Sequence, residues 1–148
     1  MAGPIPVDAD GRFAGYASVF DHADRSGDVV RRGAFARARP VGLPLLWQHD
    51  PARPVGVVER IEEDARGLRV IGRLSAGSDT AREAGALLAD GAIDGLSFGY
   101  RVRRGRQRPG GGRELIDLDL LEISMVTFPM QPLARVHAVD RGNARRTA

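Results

Sequence analysis

The chain has 148 residues, enough for one domain, and no cysteine, which excludes disulfides, thiolate zinc sites and a cysteine nucleophile together. Its formal net charge is +3 and its pI about 10.4, yet all 22 basic residues are arginine, a coding bias that raises pI without designing a basic face for nucleic acid. Met1 to Pro6 lacks the basic region and apolar core of a signal peptide, and no stretch approaches the roughly 18 apolar residues of a membrane span, so the expectation is a soluble chain with no membrane partner.

Arg12 to Phe20 alternates in a way that predicts a strand, with Phe13, Gly15, Ala17 and Val19 on one face. Asp21 to Asp28 reads as a polar loop, Val29-Val30 as a short apolar pair, and Gly33 to Phe35 as the start of a brief helical segment closed by Pro40. Leu43 to His49 is the next strand; period two places Leu43, Leu45, Trp47 and His49 on one face, and Asp50-Pro51 is expected to break the strand. Val55 to Ile61 and Leu68 to Leu74 predict two strands joined by the polar loop Glu62 to Gly67.

The spacing of Ala81, Ala84, Leu87 and Leu88 predicts a helix over Ser78 to Asp90, with Thr80 and Glu83 as a capping box and Gly91 as its stop. Leu96 to Arg104 reads as a strand, Gly105 to Gly112 as a flexible loop, and Glu114 to Val126 as a long strand ended by Phe128-Pro129. Leu133 to Val139 adds a short helix or strand, and the residues from Arg141 on are polar and basic. The expected organisation is one domain over residues 1–136 with a basic tail over 137–148. Evenly spaced strands with one or two helices suggest a β-barrel, or a sheet with helices packed on it.

Of the histidines, His22 and His137 read as solvated, whereas His49 ends an apolar strand beside a chain break. It is either a structural residue at the rim of the core or a rigidly held general base. Ser97 lies between Gly95 and Gly99, in an ordinary turn or as a nucleophile with open space around its oxygen. In the last long strand Glu122 shares parity with Ile116, Leu118 and Leu120. Either it points inward and needs a partner, or a β-bulge turns it outward.

Gly95-x-Ser97-x-Gly99 formally matches the hydrolase nucleophile elbow. That motif needs a strand before the serine and a helix after it, and here the order is reversed, so that fold is excluded. No metal motif or phosphate-binding glycine loop is present, and Asp21, His22, Asp24 and Asp28 read as a solvated acidic loop, so no metal or cofactor is expected. Arg101, Arg103, Arg104, Arg106, Arg108 and Arg113 surround the Gly-rich loop and could grip phosphate or an acidic protein segment. Phe98 and Tyr100 are the sole stacking candidates nearby, so a nucleic-acid partner is not expected.

An ordered set of short motifs resembles the prohead serine proteases of tailed phages. It comprises Gly15-Tyr16-Ala17-Ser18-Val19-Phe20, Gly27-Asp28-Val29-Val30 with Gly33-Ala34-Phe35, and Leu45-Leu46-Trp47-Gln48-His49-Asp50. Pro54-Val55-Gly56, Gly67-Leu68, Gly95-Leu96-Ser97-Phe98-Gly99-Tyr100 and Leu121-Glu122-Ile123-Ser124-Met125-Val126 with Pro129 complete it. The resemblance implies an α+β fold, a compact, mostly antiparallel β-barrel surrounded by a few helices and similar to the herpesvirus maturation proteases. It implies Ser97 as nucleophile and His49 as base. Where the herpesvirus enzymes carry a second histidine, this chain offers Glu122, and the glycines beside Ser97 are expected to leave room for an extended substrate.

The implied function is a serine endopeptidase that cuts scaffold, or the scaffold-like segment of the major capsid protein, inside the immature capsid (prohead) in the host or bacterial cytoplasm. Self-cleavage near the basic tail and homo-oligomerisation inside the shell belong to the same expectation. The rival is a non-catalytic capsid-assembly module of the same fold that binds its partner through the arginine loop.

Overall fold

The computed structural model describes residues 10–38 and 42–138. Eight strands and one helix follow in chain order: β1 (Arg12–Val19), β2 (Val29–Val30), β3 (Pro44–Trp47), β4 (Asp50–Glu63), β5 (Gly67–Leu74), α1 (Asp79–Ala89), β6 (Gly95–Gln107), β7 (Arg113–Val126) and β8 (Val136–Ala138). They form a single sheet in the order β2-β7-β3-β4-β5-β1-β8, with β6 pairing β7. The pairs β2·β7 and β3·β7 are parallel and the others antiparallel.

The sheet is mostly antiparallel, as expected, but the compact barrel surrounded by a few helices is corrected on two points: the sheet does not close through strand pairing, and the described residues contain one helix. Between β8 and β6 lies a single bridge, Gly95 to Arg135, flanked by Leu96 N–H donating to Ala134 O (2.9 Å) and Val136 N–H to Asp94 O (2.8 Å). The core is filled by Phe13, Leu45, Val55, Val70, Leu96, Leu118, Ile123 and Met125, all fully buried. Large aliphatic side chains of this kind each contribute about 1.5–3 kcal/mol by leaving water.

Local chemistry explains the other departures from the sequence reading. Ser78, not Thr80, caps α1: its Oγ accepts from Ala81 N–H at 3.1 Å. Gly91 (φ +81) ends the helix as expected, with Gly91 N–H bonding Leu88 O and Ala92 N–H bonding Leu87 O, the paired bonds of a Schellman stop. Ala81, Ala84 and Leu88 are buried, and the helix packs on β4 and β5. Gly33 to Ala38 forms successive three-residue turns rather than a helix, and Pro40 lies outside the described residues.

Glu62, Glu63 and Gly67 belong to strands, so the expected loop shrinks to Asp64, Ala65 and Arg66. Asp64 Oδ1 closes it by accepting from Arg66 and Gly67 N–H. β6 runs to Gln107, leaving a tight turn before β7. His137 and Ala138 lie in β8, and the rest of the expected tail, like residues 1–9, falls outside the described residues. No described helix is long and apolar enough to cross a membrane.

Candidate active site

His49 does not end a strand. Trp47 pairs with Asp50, so Gln48 and His49 are the two central residues of a hairpin turn between β3 and β4. Their φ angles are +53° and +60°, the left-handed pair that a type I′ turn demands. Neither is glycine, so the turn is strained and must be held from outside. Gln48 does this by exchanging two hydrogen bonds with Thr127: its Nε2 donates to Thr127 Oγ1 (2.8 Å) and its Oε1 accepts from Thr127 N–H (3.2 Å). Gln48 N–H also donates to Met125 O (2.9 Å), and His49 N–H donates to Ser124 Oγ (3.1 Å). The predicted break at Asp50-Pro51 is thereby replaced by a tight turn two residues earlier, with β4 starting at Asp50.

Glu122 reaches this turn through a β-bulge. Gly99 pairs with Glu122 and Tyr100 with Leu120, which leaves Leu121 as the extra residue on β7. Leu118 and Leu120 face the core before the bulge, and Ile123 and Met125 after it, so the inward parity changes at Leu121. Glu122 and Ser124 therefore lie on the outer face. The inward-pointing carboxylate is corrected to the bulged, outward alternative. There Glu122 Oε2 meets His49 Nδ1 at 2.6 Å and Oε1 accepts from Ser124 Oγ at 2.7 Å.

Ser97 lies within β6, neither in a turn nor at an elbow. It pairs across with Ser124, and Gly99 with Glu122, so Ser97, Glu122 and Ser124 occupy one face of the β6–β7 ladder. Ser97 is buried, at 7% exposure, and also lines a pocket with Ala17, Val30, Met130 and Ser18, whose buried Oγ has no hydrogen-bond partner. A Cβ on Gly95 would sit 2.8 Å from Pro129 Cδ, and one on Gly99 would sit 2.5 Å from Glu122 Oε2, so Gly99 makes room for the acid.

The electrostatics follow from these contacts. Glu122 accepts at both oxygens, so His49 keeps its proton on Nδ1 and presents the lone pair at Nε2. The hydrogen bond to Glu122 raises the His49 pKa above the ordinary 6.5; burial opposes the rise and the carboxylate's charge adds to it. An acid thus orients an imidazole on the ladder face that also carries Ser97, which is the acid–base part of a serine acyl-transfer site; among the described residues no hydrogen bond joins Ser97 to His49.

Of the other residues weighed from sequence, His22 is exposed in the loop after β1, and His137 stacks on Tyr16 with ring centroids 5.3 Å apart. Burial and Arg69 lower the His137 pKa. Asp28 is not solvated: it is buried and accepts from Arg113 N–H (2.9 Å) and Nη2 (2.8 Å). Asp24 organises the loop by accepting from Ser26 and Asp28 N–H. No cluster of three or more His, Asp or Glu side chains among the described residues could hold a metal.

Half of the arginines around the Gly-rich loop are neutralised from within, whereas Arg101 and Arg104 have no ion pair among the described residues. Arg103 pairs with Asp117 and Asp119, Arg106 with Glu114, Arg113 with Asp28, and Arg108 donates to Gly27 O. The sequence reading missed Gln48, Ser124 and Thr127. Ser124 was legible in part, two residues beyond Glu122 on the same side of a strand.

Residues 5–147 match the model of a family described as caudovirus prohead serine protease. The chain is similar to a prohead protease of Enterobacteria phage HK97, 33% identical over 135 residues, which cover 87% of this chain and 60% of that protein. It is also similar to a capsid polyprotein of Pseudomonas phage PAJU2, 29% identical over 78% of this chain and 18% of that protein. The chain therefore spans well under two thirds of the length of these relatives. Among solved structures, the capsid assembly protease of bacteriophage T4 matches with a TM-score of 0.59 at 14% identity, covering 84% of this chain and 89% of that one. A KSHV protease in complex with a hexapeptide phosphonate inhibitor matches with a TM-score of 0.57 at 15% identity, covering 81% and 60%. These two likenesses establish a shared fold.

Proposed function

Since the chain belongs to the caudovirus prohead serine protease family, we propose that it is a serine endopeptidase with Ser97 as nucleophile, His49 as base and Glu122 as the acid that orients the base. The observation that carries this reading is the 2.6 Å contact from His49 Nδ1 to Glu122, made on the face of the β6–β7 ladder that also bears Ser97. Substrate binding brings Ser97 Oγ and His49 Nε2 into line. Nε2 takes the Oγ proton as Oγ attacks the peptide carbonyl, and the tetrahedral intermediate expels the amine, which receives that proton from His49. Water, deprotonated by His49, then hydrolyses the acyl-enzyme and frees Ser97.

The substrate is scaffold or the scaffold-like segment of the major capsid protein, and the chain also cuts itself. It acts as a homo-oligomer inside the prohead, in the host or bacterial cytoplasm. Similarity to a prohead protease and to a capsid polyprotein supports capsid protein as the substrate. Self-pairing of Arg103, Arg106 and Arg113 halves the charge on which a non-catalytic, arginine-based assembly module depends. The test is co-expression with the major capsid protein of the same genome, comparing wild type with Ser97→Ala by intact mass. Wild type shortens the capsid protein and Ser97→Ala leaves it whole; equal shortening by both refutes the assignment.

A further inference from the structure

Beyond the Gly99–Glu122 pair, the outer face of β6 and β7 continues into a cleft walled by Arg37, Arg101, Arg103, Asp119 and Leu121. Arg101 is on the Ser97 face, because Leu96, Phe98, Tyr100 and Val102 alternate with it and pack on the core. The bulge at Leu121 is on β7 and leaves the alternation of β6 intact over this stretch. Four residues of strand separate Ser97 from Arg101, about 13 Å at roughly 3.3 Å per residue.

The charges of the cleft do not balance. Arg37 pairs with Asp117 at 3.3 Å, and Arg103 pairs with Asp117 at 3.8 Å and Asp119 at 3.3 Å. Arg101 is exposed and has no ion pair among the described residues. Three guanidinium groups thus face two carboxylates, and the positive charge left over is on the residue aligned with Ser97. Leu121, pushed out by the bulge, is 45% exposed and forms an apolar rim between Glu122 and the cleft.

We propose that this cleft is the distal part of the substrate channel and that Arg101 determines specificity there, taking an aspartate or glutamate three or four residues from the scissile bond. The proposal rests on the reading of Ser97 as nucleophile. An extended peptide running from Ser97 along the outer face advances at the same rise as β6, so its third or fourth residue comes level with Arg101. A guanidinium receives a carboxylate through two parallel hydrogen bonds and repels a basic side chain. Leu121 receives an apolar side chain of the same peptide between the two points.

The test uses the full chain at high concentration with a peptide library made by digesting a bacterial proteome, and reads cut positions by mass spectrometry. Wild type, Ser97→Ala, Arg101→Gln and Arg101→Glu are compared, with thermal melts to confirm that each variant is folded. Ser97-dependent cuts in wild type are expected to show severalfold enrichment of Asp and Glu three or four residues to one side. Arg101→Gln loses that enrichment and Arg101→Glu turns it toward Lys and Arg. Ser97-dependent cuts with no acidic enrichment, or with enrichment unchanged in both Arg101 variants, overturn this proposal alone. Absence of any Ser97-dependent cut overturns the proteolytic reading and this proposal with it.

Discussion

A single atom's absence at residue 99 decides where the acid can sit. The Glu122 carboxylate occupies the space of a missing side chain, and a Cβ there would lie 2.5 Å from its Oε2. The obstructed atom is the end of a flexible side chain, so Gly99→Ala should change the melting temperature little while parting Glu122 from His49. Activity is then expected to fall much as in Glu122→Gln, for which the loss of a triad acid suggests about 10⁴ in kcat. Steady-state kinetics alongside calorimetry check the split.

The same pair sets the pH dependence. Glu122 raises the His49 pKa, and on the proposed mechanism the base must be neutral to act, so activity is expected to rise as pH climbs through that raised value. Glu122→Gln should shift the acid limb of the profile to lower pH; an unmoved limb counts against Glu122 as partner of the base. For stability the sign is opposite. The pair's contribution is complete below the ordinary pKa of 6.5 and is lost as pH rises through the folded value, so the variant's deficit should be largest in mild acid.

Two irregular elements carry the site, and each rests on contacts that a substitution can remove. The left-handed turn at Gln48 and His49 is held largely through Gln48, so Gln48→Ala is expected to cost about 1–2 kcal/mol and to lower activity as His49 loses its fixed place. Chemical denaturation and kcat measure both effects. By contrast, α1 packs on β4 and β5 and contributes no residue to the site. Ser78→Ala should therefore cost about 1 kcal/mol by uncapping the helix and leave kcat unchanged. The bulge at Leu121 performs two tasks, keeping Ile123 and Met125 in the core while placing Glu122 and the buried Ser124 on the opposite face, toward the His49 turn.

Across the whole molecule, the segment at the last strand ties β1 to the start of β6. β8 pairs with β1, and the residues just before it bond Asp94, Gly95 and Leu96 at the start of β6, two residues from Ser97. A chain ending at Leu133 should lose cooperative thermal unfolding as well as activity, since it leaves β1 and the start of β6 with open edges and uncovers Leu96. A sharp two-state melt for that truncation, followed by circular dichroism, would show that the sheet does not need the link. A second tie is the buried Asp28 on Arg113, which fastens the loop after β1 to the start of β7.

Sequence pattern alone identified the strands with strong apolar alternation, a helix over Ser78 to Asp90 and its glycine stop, because these signals are local and repeat along the chain. It also singled out His49, Ser97 and Glu122, through residue types in unusual settings and through their order in a family-like set of motifs. It could not place them. Period two carried His49 onto the face of Trp47 and Glu122 onto the face of Leu120. One extra residue in a strand or a two-residue turn reverses such a prediction, and neither leaves a periodic trace. Leu121 resembles any other strand leucine, and Gln48-His49 lacks the glycine or asparagine that normally marks a type I′ turn. Only the tertiary structure supplied what holds them: the Thr127 amide and hydroxyl for the turn, and the empty space over Gly99 for the acid. Long-range contacts of that kind stabilise local conformations that the residues would not choose alone, and they brought His49 and Glu122 together across 73 positions of sequence.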